Sequence, residues 1–191
     1  TTKTTAKNPH KDTAIIAVYD GEGIAELYSG FGCDVVLDGG SGMNTSVKEF
    51  LDAFERANAD NIIILPNDKN VAVAAKQAVS MYKGRVEVVN SASFVEGYFA
   101  LASDIPTEPF KDRLEAVKSG IKGVTTVKVS RANRDANISG VECKIGEYVT
   151  FINGKITACE KDLITATVNT LKKVAGIEDK EQIIILNGKG P

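Results

Sequence analysis

Two polar loops rich in Gly, Asn and Ser are candidates for binding a small anion, a carboxylate or an amide-bearing partner. Residues 39–46 follow the apolar run DVVL, and residues 66–70 follow the apolar run NIIIL. Each loop opens a helical pattern, and the free N–H groups and positive dipole end of a helix N-terminus favour negative groups. The candidate ligand- or partner-binding residues are Gly39, Gly40, Met43, Asn44, Ser46, Asn67, Lys69 and Asn70. The same residue types also turn a strand into a helix without any ligand, which is the competing interpretation.

Ser46 and Glu49 form the S-x-x-E pattern of a helix capping box. In such a box the serine hydroxyl accepts a hydrogen bond from the third helical N–H, and the glutamate carboxylate accepts one from the serine N–H. The pattern predicts that Ser46 is first a helix cap and only second a ligand contact.

The sequence predicts no catalytic residue and no metal site. Ser41 and Ser46 are conceivable nucleophiles, but the one histidine, His10, lies in the polar N-terminal region, and nucleophilic catalysis needs a base within hydrogen-bond reach. The three cysteines lack CxxC spacing, so we expect free thiols in a reducing cytoplasm rather than disulfides or zinc ligands.

Composition excludes two classes of partner. The formal net charge is −2, and no cluster of Lys and Arg is interleaved with aromatic residues, so nucleic-acid binding is not expected. No apolar run approaches the roughly 20 residues needed to cross a bilayer, so membrane insertion is not expected.

The first half of the chain alternates short β-branched runs with helical patterns. This alternation predicts βαβ crossovers and a parallel sheet covered by helices on both faces, and hence an α/β fold. The predicted strands are residues 14–18, 34–37, 61–65 and 86–89, with helices after each of them.

Two prolines within residues 105–109 predict a subdomain boundary. We expect a tail over residues 1–12, a parallel α/β subdomain over residues 13–104, and a smaller α+β subdomain over residues 105–191. The smaller subdomain is predicted to contain a helix at 110–121, a strand at 125–129, a polar loop at 131–140, a β-hairpin at 148–158 turning on Asn153-Gly154, a helix at 161–174 and a strand at 182–186.

The run DGGSGMNTSVKEFLDAFERANADNIIILPNDKN resembles the carboxy-terminal region of the large subunit of bacterial fatty acid kinase, a dihydroxyacetone kinase-related protein. The matching residues of its GG-x-x-MN-P-S and LPN-x-KN loops are Gly39, Gly40, Met43, Asn44 and Ser46, then Leu65, Pro66, Asn67, Lys69 and Asn70. AVYDGEG and SGVECKIGEYVTF extend the resemblance over most of the chain. Thr45 replaces the proline of the first loop.

The resemblance implies a DegV-like (EDD-like) fold, and a separate amino-terminal domain that handles ATP and magnesium, so no cofactor is expected in this chain. It also implies that this region docks a fatty-acid-carrying protein of the DegV type, and that the fold continues past the strand at 182–186.

Two hypotheses therefore stand. In the first, the chain is a non-catalytic domain of a fatty acid kinase that docks the carrier protein for acyl phosphate formation elsewhere. In the second, it is a ligand-binding module that itself holds a fatty acid or small anion at the carboxyl ends of the strands. A homodimer is compatible with both.

Overall fold

The computed structural model describes residues 7–188. Their contacts divide the chain into two compact units, and the division falls between Lys122 and Gly123. The two prolines predicted this division at residue 105, one helix earlier in the chain. The helix of residues 110–120 belongs to the first unit, because it packs against the helix that precedes it. Of the predicted tail, residues 1–6 lie outside the described part, whereas Asn8 already hydrogen-bonds to the Arg56 carbonyl at 3.0 Å.

The first unit is a four-stranded parallel sheet in the order β2-β1-β3-β4, which confirms the predicted α/β class. Its strands are β1 (Lys11–Tyr19), β2 (Val35–Asp38), β3 (Ala59–Leu65) and β4 (Arg85–Val88). Its helices are α1 (Glu22–Gly30), α2 (Val47–Ala57), α3 (Lys69–Met81), α4 (Phe94–Ala102) and α5 (Phe110–Gly120).

Both faces of this sheet are buried, as the unbroken apolar strands predict. Alternate residues of β1 point to opposite faces: Ile16 packs in the cluster with α2 and α3, whereas Ile15 packs in the cluster with α1, α4 and α5. On α2, Phe50 and Phe54 lie one turn apart and are completely buried. The sheet is thereby a rigid base for the loops at its ends.

The second unit consists of antiparallel strands and one α-helix. Its elements are β5 (Val127–Arg131), β6 (Ala136–Ile138), β7 (Val141–Cys143), β8 (Tyr148–Ile152), β9 (Lys155–Glu160), α6 (Leu163–Leu171) and a 3-10 turn (Ile177–Asp179). Three strands form a sheet in the order β5-β8-β9, and β6 pairs with β7. The predicted β-hairpin is confirmed, with φ of 50° at Asn153 and 76° at Gly154, as a type I′ turn requires.

Three predictions about this unit were wrong. Residues 182–186 form no strand; Ile185 is 84% exposed, and within residues 7–188 no sheet edge pairs with this segment. The segment 131–140, predicted as a loop, contains β6, which turns into β7 through Ser139 and Gly140, both at positive φ. The predicted free thiols at Cys143 and Cys159 are instead joined in a disulfide, with Cα atoms 5.5 Å apart.

Within the described residues, no helix combines the length and the apolar character that a bilayer crossing needs.

Candidate functional site at the carboxyl ends of the parallel strands

The two polar loops lie at the same edge of the parallel sheet. Because β2 and β3 flank β1, the loops that follow β2 and β3 both lie beside the carboxyl end of β1. The strand order reverses between β1 and β3, and in open α/β sheets this reversal is the usual place for a ligand or partner. We call residues 19–22, 38–49, 66–70 and 89–96 the carboxyl-edge surface.

The loop of residues 39–45 is a folded turn rather than an open cradle. Gly39 N–H donates to the Tyr19 carbonyl at 2.8 Å, and Gly40 N–H donates to the Asp38 carboxylate at 2.8 Å. A Cβ at Gly39 would lie 2.8 Å from the Met43 sulfur and 3.2 Å from the Tyr19 carbonyl oxygen, so a larger residue there would force Met43 to shift. Gly39 and Met43 are therefore half-buried structural residues of the loop, and Gly40 is exposed.

Asn44 belongs to the same turn and is exposed. Its N–H donates to the Gly39 carbonyl at 2.9 Å, and its side chain lies in solvent. Asn44 is thereby presented outward by a backbone that is already hydrogen-bonded.

Ser46 is the N-cap of α2, as the capping box predicts. Glu49 N–H donates to the Ser46 hydroxyl at 3.3 Å, and Ser46 N–H donates to the Glu49 carboxylate at 2.8 Å. The hydrogen bonds from Ser46, its N–H first and then its hydroxyl, lower the pKa of Glu49 because they favour the charged carboxylate. The helix end thus carries an ionised carboxylate of its own.

We expect Ser46→Ala to lower the free energy of unfolding by about 1 kcal/mol, because the Glu49 N–H loses its acceptor and the Glu49 carboxylate loses the hydroxyl donor. The pKa of Glu49 is lower in the folded state, so its stabilisation is present above its unfolded pKa and is lost as the pH falls through its folded pKa. Urea unfolding of wild type and Glu49→Gln should therefore differ near neutrality and converge in acid. Ser80→Ala, on the exposed side of α3, is the control and should change little; equal effects at Ser46 and Ser80 would contradict the capping role.

Asn67 is buried beneath the surface and holds elements together. It is 3% exposed, and its side-chain NH₂ donates to the Val18 carbonyl at 2.9 Å and to the Tyr28 hydroxyl at 3.0 Å. The Tyr28 hydroxyl in turn donates to the Phe94 carbonyl at 2.8 Å. This network connects β1, α1, the start of α3 and α4, and sequence reasoning missed Tyr28 because nothing local marks it. A Cβ on Gly97 would lie 2.4 Å from that hydroxyl, so the network also requires a glycine on α4.

Lys69 and Asn70 form the exposed first turn of α3. The cap of this helix is Asp68, whose carboxylate accepts from Asn70 N–H at 2.7 Å and from Val71 N–H at 3.3 Å. The side chains of Lys69 and Asn70 are thereby left to face solvent at the edge of the sheet.

The carboxyl-edge surface is acidic, and several of its backbone N–H groups donate hydrogen bonds to its own carboxylates. It carries two lysines, Lys48 and Lys69, and six carboxylates: Asp20, Glu22, Asp38, Glu49, Asp68 and Glu96. Asp38, Glu49 and Asp68 accept from backbone N–H groups as described, and Glu96 accepts from Ala92 N–H at 2.7 Å. The positive helix ends that would attract an anion are therefore already neutralised.

Two buried side-chain groups of this edge make no hydrogen bond within the described residues, the Asn67 amide oxygen and the Thr45 hydroxyl. The Thr45 hydroxyl is buried, with the residue 4% exposed, and makes no hydrogen bond within the described part of the chain. Thr45 replaces the proline of the GG-x-x-MN-P-S loop. This chain therefore has a hydroxyl beside Ser46 at a position where that loop has no hydrogen-bonding side chain.

Other chemistry-bearing groups lie away from this edge. His10 lies 3.5 Å from the Asp60 carboxylate near the amino ends of β1 and β3, so it does not pair with Ser46. A cleft of about 660 Å³ also lies at the amino end, but the charges of Lys11 and Arg113 in its wall are paired with Asp34 and Asp104. A cluster that could hold a metal, found within residues 7–188, lies in the second unit.

Comparison with known proteins identifies the family. The family model that matches residues 14–190 describes the C-terminal region of FakA-like fatty acid kinase subunits. Protein YloV of Bacillus subtilis (strain 168) is 34% identical over 184 residues, which cover 96% of this chain and 32% of YloV. An uncharacterized protein of Staphylococcus haemolyticus is 31% identical over 178 residues, covering 93% of this chain and 32% of that protein.

The chain thus spans about a third of the length of the curated relatives it matches. The match covers both units and includes the two loops of the carboxyl-edge surface. The chain belongs to the FakA-like C-terminal family of fatty acid kinase subunits.

Proposed function

We propose that this chain is a non-catalytic domain of a fatty acid kinase, which docks a fatty-acid-carrying protein of the DegV type through the carboxyl-edge surface. ATP and magnesium would be bound by a separate domain of the parent protein, which would form the acyl phosphate in the cytoplasm and feed phospholipid metabolism. Family membership supports the kinase context, and the chemistry of the surface supports docking.

The observation that carries this proposal is the self-capping of the loops. Their N–H groups are bonded to Asp38, Glu49, Asp68 and Glu96, so the loops hold their shape without any ligand. Asn44, Ser46, Lys69 and Asn70 then project from a fixed backbone. A surface of fixed shape that presents exposed polar side chains suits protein recognition.

The charge of the surface predicts the chemistry of the partner. Six carboxylates against two lysines leave the carboxyl-edge surface negative. We therefore expect the docked face of the carrier protein to be rich in Lys and Arg, because complementary charges steer association and suppress wrong partners.

Asn70→Lys in combination with Asn44→Lys tests this proposal. Both residues are exposed, and the added positive charges should weaken the binding of the wild-type carrier by roughly tenfold, mainly by slowing association at low salt. Calorimetry gives the affinity, and stopped-flow mixing gives the association rate.

Gln77→Lys is the matched control for Asn70→Lys. Gln77 is exposed on the same helix seven residues later, so it lies on the same face but about two turns from the edge. Absence of wild-type binding, or equal weakening by the control and test variants, would contradict docking at this surface.

A second function is favoured by the unpartnered Thr45 hydroxyl, which could bind a fatty acid carboxylate or small anion. Native mass spectrometry of the purified chain separates the two functions. A retained acyl mass that is lost in Thr45→Val would support the ligand-binding module, whereas docking by ligand-free chain supports the first proposal.

A further inference from the structure

The second unit contains three side chains that could share one metal ion. Cys143 ends β7, Cys159 lies in β9, and Glu147 lies in the turn between β7 and β8. Their potential ligand atoms all lie within 4.8 Å of one another. The Glu147 carboxylate lies 3.6 Å from the Cys159 sulfur.

The backbone fixes Glu147 in this position. Its carboxylate accepts from Lys144 N–H at 2.8 Å, and its own N–H donates to the Lys144 carbonyl at 3.1 Å. The turn is also attached to the residue after β5, because Ala132 N–H donates to the Glu147 carbonyl and Gly146 N–H donates to the Ala132 carbonyl, each at 2.8 Å. A carboxylate oriented by a backbone N–H is typical of the ligands that proteins use for metals.

Burial distinguishes this cluster from a surface group of acids. Cys143 is 3% exposed, and Cys159 and Glu147 are half-buried. Glu142, one residue before Cys143, faces solvent, so the strand places the cysteine inward and the neighbouring carboxylate outward. The alternation of β7 therefore places Cys143 in the cluster and keeps Glu142 out of it.

We propose that the reduced form of this cluster binds a thiophilic divalent cation of the zinc class through the sulfurs of Cys143 and Cys159 and the carboxylate of Glu147. Two thiolates and one carboxylate are a normal zinc ligand set, and they leave the fourth tetrahedral position for water or another donor. Calcium and magnesium prefer oxygen ligands alone, so the two sulfurs select against them.

The metal form and the disulfide form exclude each other. Two external thiols reduce the disulfide to two protein thiols and are themselves joined as an external disulfide. The cation then replaces the two thiol protons, which are released to solvent, and forms two metal–sulfur bonds. Either form connects β7 to β9, so the cross-link between these strands persists while its chemistry changes.

Cobalt(II) titration of the reduced chain tests the site. We expect a thiolate-to-cobalt charge-transfer band and the visible bands of tetrahedral cobalt, saturating at one ion per chain, with zinc displacing the cobalt. The oxidised wild type has the same sequence and a blocked pair of sulfurs, so its titration should show no such band.

Variants assign the ligands. Cys143→Ser and Cys159→Ser should each abolish tight cobalt binding, and Glu147→Gln should keep the band but weaken affinity about tenfold or more. Glu142→Gln makes the same charge change one residue from Cys143 and should bind as wild type does. Cys33→Ser should also bind normally, because burial raises the pKa of the Cys33 thiol to about 12.

Three results would overturn the proposal. They are the absence of the charge-transfer band in reduced wild type, its persistence in Cys143→Ser, and equal weakening by Glu142→Gln and Glu147→Gln. Circular dichroism of each reduced variant separates loss of the site from loss of the fold.

Discussion

Replacing Arg113 with methionine is expected to lower the free energy of unfolding by about 3–5 kcal/mol, because it leaves the Asp104 carboxylate buried without its partner. The guanidinium donates from Nε and from a terminal nitrogen to the two oxygens of Asp104, at 2.9 and 2.7 Å. Its other terminal nitrogen donates to the Thr13 carbonyl at 3.0 Å. The two side chains are only 7% and 6% exposed, so little water reaches them to replace the lost bonds. Urea unfolding followed by circular dichroism measures the change.

Two further variants separate the charge effect from simple loss of packing. Arg113→Met combined with Asp104→Leu removes both charges and should recover much of the stability, since an apolar pair often replaces a buried ion pair at little cost. Lys111→Met, on the exposed side of α5, should change stability by less than about 0.5 kcal/mol. A loss below about 1 kcal/mol in Arg113→Met would show that the pair is not a major anchor of α5.

Arg113 also shows where sequence reasoning stops. The amphipathic pattern predicts helix α5 correctly, but a charged residue in such a helix is normally assigned to solvent. The partner Asp104 lies before the two prolines, and Thr13 lies a hundred residues away along the chain. The pair depends on how α5 packs on the start of β1, which no local pattern contains.

Features that depend on a few neighbouring residues were predictable. The capping box of Ser46 and Glu49 and the Asn153-Gly154 turn are both specified by residues within four positions of one another. The parallel sheet followed from repeated strand and helix patterns, because buried strands alternate with helices only in this class.

Features that depend on distant partners were not predictable. Cys143 and Cys159 meet only because β7 lies beside β9, whereas their sequence spacing suggested unrelated thiols. The apolar run at 182–186 has the composition of a strand, but a strand also needs a neighbouring strand to satisfy its backbone groups, and within the described residues this segment pairs with none. Composition predicts that a segment tends to form a strand, but whether it does so depends on a neighbouring strand to pair with.

Asn67→Ala is the second variant for which we expect a large effect, a loss of about 2–4 kcal/mol. The substitution removes the donor to the buried Val18 carbonyl, and an unsatisfied buried polar group costs about 1–3 kcal/mol. It also places alanine at a φ of 58°, where an L-residue without a polar side chain is disfavoured by about 1–2 kcal/mol. Asn67→Gly tolerates this φ, so we expect it to lose less stability than Asn67→Ala, and the difference between the two variants reports the backbone part of the cost.

Asn67→Ala decides whether Asn67 is a structural or a binding residue. A structural role predicts lower stability, whereas a binding role predicts wild-type stability with loss of docking. Asn70→Ala makes the same side-chain truncation three residues later at an exposed position, so its effect on stability should stay within about 0.5 kcal/mol. If Asn67 is structural, Asn67→Ala unfolds at lower urea, and Gly97→Ala does so too, because its Cβ would displace the same hydroxyl and amide. Wild-type stability in Asn67→Ala, together with lost docking of the carrier protein, would instead place Asn67 in the binding surface. The 3% exposure of Asn67 and its bonds to Val18 and Tyr28 favour the first result, and they leave recognition to the exposed side chains of Asn44, Lys69 and Asn70.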